Sequence, residues 1–200
     1  MVVIIGDHVT GEDLVDGKRE AVAIPGHTGG PHTPWIMYSC LAAQNRGAVI
    51  NHVWWPTDSD PLEMPASRRA QWVVQQVRPI LHGLQRPLLV GKSLGTHAAI
   101  LAAEKDLPAV WITPLIAPGA ADDRLVEALR NSSAPCLLIG GTADPTWDGA
   151  LARKLTTHVF EAEGADHGLY VPGPLAASAA ILSRMVTAVE HFLDETVWPI

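Results

Sequence analysis

Three short stretches of this chain carry residue types that could do chemistry together. The first is Gly91-Lys92-Ser93-Leu94-Gly95, a serine with a glycine two residues to either side. A serine hydroxyl is a poor nucleophile until a base takes its proton, and an imidazole does so best when a carboxylate orients it. The chain offers the carboxylate in Gly140-Gly141-Thr142-Ala143-Asp144-Pro145 and the imidazole in Glu163-Gly164-Ala165-Asp166-His167-Gly168. Brought together, Ser93, His167 and Asp144 would transfer an acyl group through the serine.

Gly-x-Ser-x-Gly alone is a weak signal, so its surroundings decide. A serine held out as a nucleophile sits on a sharp turn between a buried strand and a helix, and flanking glycines remove the Cβ atoms that would collide there. Leu88-Leu89-Val90 supplies the strand, and Thr96 to Ile100 opens the helix, whose free N–H groups point toward developing negative charge. Gly91-Lys92-Ser93 mimics the end of a phosphate-binding loop, but Arg86 stands where that motif needs its first glycine. Asp148 is a rival for the carboxylate, although it more naturally starts a helix. Asp166 adjoins His167 and reads as support for its own loop. The remaining histidines do not follow the last strand and default to surface or core roles.

Stepping from these stretches to the elements around them, short apolar runs alternate with longer helical patterns, the signature of a parallel sheet with helices on both faces. Strands are expected at 21–24, 48–54, 87–90, 109–112, 135–139 and 158–162, with a weak antiparallel start at 2–5 and 13–15. Helices are expected at 34–45, from 66 to a stop near Pro79, and at 96–104, 122–130 and 147–155. A last helix carries Leu175, Ala179, Leu182, Val186, Val189 and Leu193 on one stripe. The fold class is therefore α/β, a three-layer sandwich with a mostly parallel sheet of about 7–8 strands. No repeat or linker divides the 200 residues, which reads as a single domain over 1–200.

The net charge of −7, without any block of like charge, argues against nucleic acid or an anionic membrane as partner. MVVIIGDHVTGED lacks the basic segment and long apolar core of a signal peptide, and no apolar run approaches bilayer-spanning length. Cys40 and Cys136 offer neither a disulfide framework nor a CxxC pair, so a cytoplasmic setting is expected and both thiols read as small apolar residues.

With serine, acid and histidine in that order, each past a predicted strand, the chain resembles the α/β-hydrolase superfamily over nearly its whole length. It is most similar to small members such as dienelactone-hydrolase-like and carboxylesterase-like proteins. The resemblance implies Ser93 as nucleophile, Asp144 as acid and His167 as base. It also implies an oxyanion hole with one donor from the Leu94 N–H. The other would come from an earlier strand-end loop, where the family often has His-Gly and this chain has Pro25-Gly26-His27-Thr28. The His27 N–H is expected there, with Thr28 as the alternative. Lys92, the residue before the serine, is expected to point away from the cleft in a structural or salt-bridge role. Only residues 113–121 fill the interval where family caps are inserted, so no cap domain is expected.

Trp35, Trp54, Trp55 and Trp147 fall at or near predicted strand ends and, with Met37, Leu115 and Leu169, are candidates to line a modestly apolar substrate site. The expected activity is hydrolysis of an ester, thioester or lactone of a small molecule, with no metal and no organic cofactor. The alternatives are a lyase, acyl transferase or cyclase using the same three residues, or a binding protein that keeps the fold.

Overall fold

The computed structural model describes residues 18–58, 60–119 and 123–199. Six of the expected runs are strands: β1 (Glu20–Ile24), β2 (Val49–His52), β3 (Leu88–Lys92), β4 (Ala109–Ile112), β5 (Cys136–Gly141) and β6 (His158–Ala162). They form one sheet in the order β2-β1-β3-β4-β5-β6, every neighbouring pair parallel. The sequence predicts about 7–8 strands, and the described residues hold six. The antiparallel start expected at 2–5 and 13–15 lies outside the described residues.

The four central strands are buried on both faces, which is why they read as continuous apolar runs, whereas the edges β2 and β6 are half-exposed and mix polar with apolar residues. Side chains leave the sheet alternately. Val22, Ile24, Leu89, Trp111 and Leu138 pack on one side with helices α2 (Ala66–Val77), α3 (Ala99–Lys105), α4 (Asp123–Asn131) and α5 (Gly149–Leu155). Ala21, Ala23, Val90, Ile112 and Ile139 pack on the other with α1 (Pro34–Gln44) and α6 (Leu175–Phe192). These are the three layers the sequence implies.

Three local expectations change. The helix after Ser93 begins as a 3-10 turn over Ser93–Ala98 and becomes α-helical only at Ala99. Helix α2 ends at Val77, two residues before Pro79, whose missing N–H and ring cannot continue it. The buried line of α6 is Ser178, Ile181, Met185, Val189 and Phe192, while Leu175 is 75% exposed. An alanine-rich helix is apolar on more than one side, and its packing against α1 selects the stripe. Cys40 and Cys136 are buried free thiols, pushed up to about 12 and about 11 by that burial. Among the described residues no helix is long and apolar enough to cross a membrane.

From β1 the chain steps outward to β2, then returns to the opposite side of β1 as β3 and continues through β4, β5 and β6. Strand order therefore reverses between β1 and β3. After β1 the chain passes to α1 on one face and after β3 to α3 on the other, and it is at such a reversal that α/β sheets form the crevice in which they bind ligands.

Candidate active site

The loops after β1 and β3 both open into that crevice. Gly91 and Gly95 are glycine for steric reasons visible in the packing. A Cβ on Gly91 would lie 2.6 Å from the Trp111 ring, and one on Gly95 would lie 2.6 Å from the carbonyl oxygens of both Ile24 and Pro25. The second contact is with backbone, so the end of β1 and the turn after β3 can approach this closely only without a side chain there. Between them Ser93 has φ of 49°, a left-handed conformation costing on the order of 1–3 kcal/mol that persists only where its surroundings enforce it. Thr96 Oγ1 donates to the Ser93 carbonyl at 2.6 Å and helps hold the turn.

His167 Nε2 lies 2.8 Å from Ser93 Oγ, and His167 Nδ1 lies 2.8 Å from Asp144 Oδ2. The structure thus joins the three side chains in one hydrogen-bonded chain from the ends of β3, β5 and β6. The carboxyl side chain of Asp144 is fully buried, whereas the imidazole is 37% exposed. Burial pushes the Asp144 carboxyl up, but hydrogen bonds from His167 and from Thr146 outweigh it and hold the group below its ordinary value. With the carboxylate ionised, Nδ1 carries the proton that Asp144 accepts, and Nε2 is left with its lone pair toward the serine.

Thr146 was not legible as part of this arrangement. Its N–H and its hydroxyl both donate to Asp144 Oδ1, at 2.8 and 2.7 Å, and Oγ1 also lies 3.1 Å from His167 Nδ1. The signal that could have found it is local: a hydroxyl residue two positions after a loop aspartate commonly closes an Asx-type turn. Asp148 accepts from Leu151 N at 2.9 Å and caps α5. Asp166 accepts from the N–H groups of Gly168 and Tyr170 and so shapes the histidine loop.

Pro25-Gly26-His27-Thr28 lies beside the serine. A Cβ on Gly26 would be 3.6 Å from Ser93 Cβ and 3.5 Å from the Lys92 carbonyl oxygen. The indole N–H of Trp55 donates to the Gly26 carbonyl at 2.8 Å. Because a trans peptide is planar, fixing that carbonyl also fixes the His27 N–H, which points the opposite way. The imidazole of His27 is held separately, with Nε2 2.9 Å from Asp60 Oδ1. Leu94 is buried, and its N–H belongs to the first turn of the 3-10 segment, whose N–H groups have no partner within the helix itself.

The apolar candidates divide. Trp54 is 62% exposed and packs on His32, and Leu115 is half-buried in the loop after β4. Trp55 is half-buried against Trp72 and acts through its N–H. Trp35 and Leu169 are corrections to the expected lining. Leu169 has no exposed surface and Trp35 only 4%, because both fill the core between the sheet and helices α1 and α6. Trp147 is also buried, lying over Gly140 with its N–H given to Glu161 at 2.7 Å. Tyr170, which the sequence reading passed over, is 46% exposed and stands edge-on to Trp35.

Among the described residues Lys92 forms no ion pair of the kind its charge suggests. Its Nζ donates to Thr113 Oγ1 and to the backbone carbonyl of His167, both at 3.0 Å, beneath the histidine loop. Among the described residues no group of three or more His, Cys, Asp or Glu is gathered that could hold a metal ion.

Sheet order, a strained serine at the switch point and partners on two later strand ends together define the α/β-hydrolase fold, and this chain has that fold. Its structural neighbours include dienelactone hydrolase from Anabaena variabilis, with a TM-score of 0.63 and 17% identity over 90% of this chain and 87% of that one. Another is Est1E from Butyrivibrio proteoclasticus with ferulic acid bound, with a TM-score of 0.63 and 15% identity over 90% and 89%. A third is alpha/beta hydrolase domain-containing protein 10 from mouse, with a TM-score of 0.56 and 15% identity over 94% and 92%. No protein-family model matches the chain, and no curated protein matches it in sequence.

Proposed function

We propose that this chain is a serine hydrolase that cleaves an ester, thioester or lactone of a small, modestly apolar molecule through an acyl-enzyme. The observation that carries the reading is the unbroken hydrogen-bonded run from Ser93 Oγ through both nitrogens of His167 to a buried Asp144. As Ser93 Oγ attacks the carbonyl carbon, its proton passes to His167 Nε2 and the carbonyl π electrons move onto oxygen. The imidazolium is stabilised by the Asp144 carboxylate. The oxyanion is held by the N–H groups of Leu94 and His27, with Thr28 as the alternative second donor. Collapse expels the alkoxide or thiolate, which takes the proton back from Nε2 and leaves the acyl group on Ser93. Water, deprotonated by the same nitrogen, repeats the sequence and frees the acid and the enzyme.

The site in this reading is open and without a cap, within a single domain. The segment after β4 supports this, since the N–H groups of Ile116 and Ala117 both bond back to the Thr146 carbonyl, at 2.9 and 2.8 Å. Trp54 and Leu115, joined by Tyr170, supply the apolar rim. The reading requires neither metal nor organic cofactor.

A fluorophosphonate probe tests the nucleophile. Folded wild type should be labelled at Ser93, Ser93→Ala should not, and an unlabelled wild type would refute the reading. Turnover of p-nitrophenyl esters of rising chain length, together with a ferulate ester suggested by the ligand of Est1E, then tests hydrolysis. Labelling without turnover of any ester would move the assignment to a lyase, transferase or cyclase.

A further inference from the structure

We infer that Lys92 is a positioning residue whose ammonium group ties the nucleophile turn, the end of β4 and the histidine loop into one rigid unit. The inference rests on the triad reading above and goes beyond it, since no step of that mechanism uses Lys92.

Three residues other than glycine adopt left-handed backbone at this edge of the sheet: Ser93 with φ of 49°, Thr113 with 45° and Leu169 with 60°. Such conformations persist only where neighbouring contacts over-determine them. Lys92 is bonded to all three turns. It precedes Ser93 in the chain, it donates to the side chain of Thr113, and it donates to the His167 carbonyl, two residues before Leu169. Its contact with His167 is to the backbone of the residue whose ring must meet Ser93 on one side and Asp144 on the other. A shift of that carbonyl moves the imidazole relative to both.

The choice of lysine needs its own explanation. Lys92 leaves the sheet on the same side as Leu88 and Val90, toward the apolar packing around Ile112 and Leu169. Burial there lowers the ammonium to about 8, an effect only partly offset by the Asp144 and Asp166 carboxylates. An apolar residue would satisfy that packing without this cost. It would leave the Thr113 hydroxyl and the His167 carbonyl without a donor. A long chain with a charged donor at its tip reaches both oxygens and strengthens both bonds. The charged and titratable groups facing it are Asp144 beyond β5 and Asp166 and His167 beyond β6.

The test compares wild type with Lys92→Met and Lys92→Arg, using ester turnover and the imidazole resonances of His167. In Lys92→Met, kcat should fall by on the order of 10- to 100-fold with KM changed less than about threefold, the signature of a displaced base. Its His167 Nδ1–H resonance should broaden or move. Lys92→Arg keeps a permanent charge, so it should retain activity within about fivefold of wild type at neutral pH. It should also lack the fall in kcat/KM expected of wild type near pH 8, where the ammonium would lose its proton. Lys92→Met within twofold of wild type, with an unchanged His167 spectrum, would overturn the inference. So would an alkaline fall that persists in Lys92→Arg. Failure of wild type to label at Ser93 would instead strike the triad reading, and the His167 spectrum would still decide whether Lys92 positions the ring. Should Lys92→Met fail to fold, Lys92→Arg carries the test alone.

Discussion

Replacing Trp55 by phenylalanine isolates one hydrogen bond with a calculable consequence. The ring keeps its packing against Trp72, whose centroid lies 5.0 Å away, and only the N–H donated to the Gly26 carbonyl at 2.8 Å is lost. That bond fixes the plane of the 26–27 peptide and hence the direction of the His27 N–H. A neutral hydrogen bond contributes about 1–1.5 kcal/mol, so its loss lets the peptide leave the donor-competent orientation about 5- to 13-fold more readily. If every productive turnover needs that orientation and the wild-type peptide holds it only part of the time, kcat falls by up to the same factor. The ceiling is complete loss of an oxyanion donor, on the order of 100- to 1,000-fold.

Ester hydrolysis measures this directly. If the peptide acts on the oxyanion, as proposed, rather than on the bound ester, the loss should appear in kcat with KM little changed. The melting temperature should drop by about 2–4 °C, the equivalent of 1 kcal/mol in a domain of this size. Unchanged kcat with a lowered melting temperature would refute the reasoning, because Trp55 would then be only a packing residue. A loss entirely in KM would also refute it, placing Trp55 against the substrate instead.

Asp144→Asn should cut kcat by on the order of 10,000-fold because the amide favours the wrong imidazole tautomer. Asp148→Ala should cost about 1 kcal/mol of stability for the lost α5 cap and leave kcat intact; steady-state kinetics and urea unfolding distinguish the two carboxylates. Gly95→Ala, whose new Cβ would meet two backbone carbonyls at 2.6 Å, should cost at least about 1–3 kcal/mol in urea unfolding and lower kcat by forcing β1 away from the serine turn. The stability of wild type relative to Lys92→Met should rise with pH between about 8 and 10.5. Across that window the unfolded chain binds the proton the folded one has released, for a gain on the order of 3 kcal/mol. A flat difference in unfolding free energy over that range would contradict the burial of the cation.

The parts of this molecule readable from sequence are those in which local composition carries the physics. Leu88-Leu89-Val90 between Pro87 and Gly91 reads as a strand buried on both faces, β4 begins and ends where its apolar run does, and β6 has the bounds expected of it. Ser93, Asp144 and His167 were candidates because each chemistry-bearing residue follows such a run. Trp35 and Leu169 were misread for a reason hydrophobicity alone cannot overcome. An apolar residue at a loop root satisfies the same pattern whether it faces the cleft or the core, and only packing against α1 and α6 decides. Thr146 and Trp55 escaped because their function lies in the direction of a single hydrogen bond to a residue elsewhere in the fold. The strands beyond six concern residues 1–17, outside the described part of the chain.

Those two omissions and Lys92 have a common form. Asp144 is held by Thr146 beside it, the loop beside Ser93 by Trp55 from the end of β2, and the carbonyl of His167 by Lys92 from the turn that carries Ser93. Each of the three reacting stretches stands at the end of a different strand, so sheet register fixes their bases but leaves their tips free to drift by the length of a loop. The proposed proton transfer between Ser93 and His167 requires their atoms to stay within a few tenths of an ångström of 2.8 Å. Parallel pairing cannot supply that tolerance past the last paired residues, Lys92 on β3, Gly141 on β5 and Ala162 on β6. Cross-links beyond the ladder must supply it. A half-buried lysine that is disfavoured where it sits, yet reaches two such loops at once, is what that requirement selects.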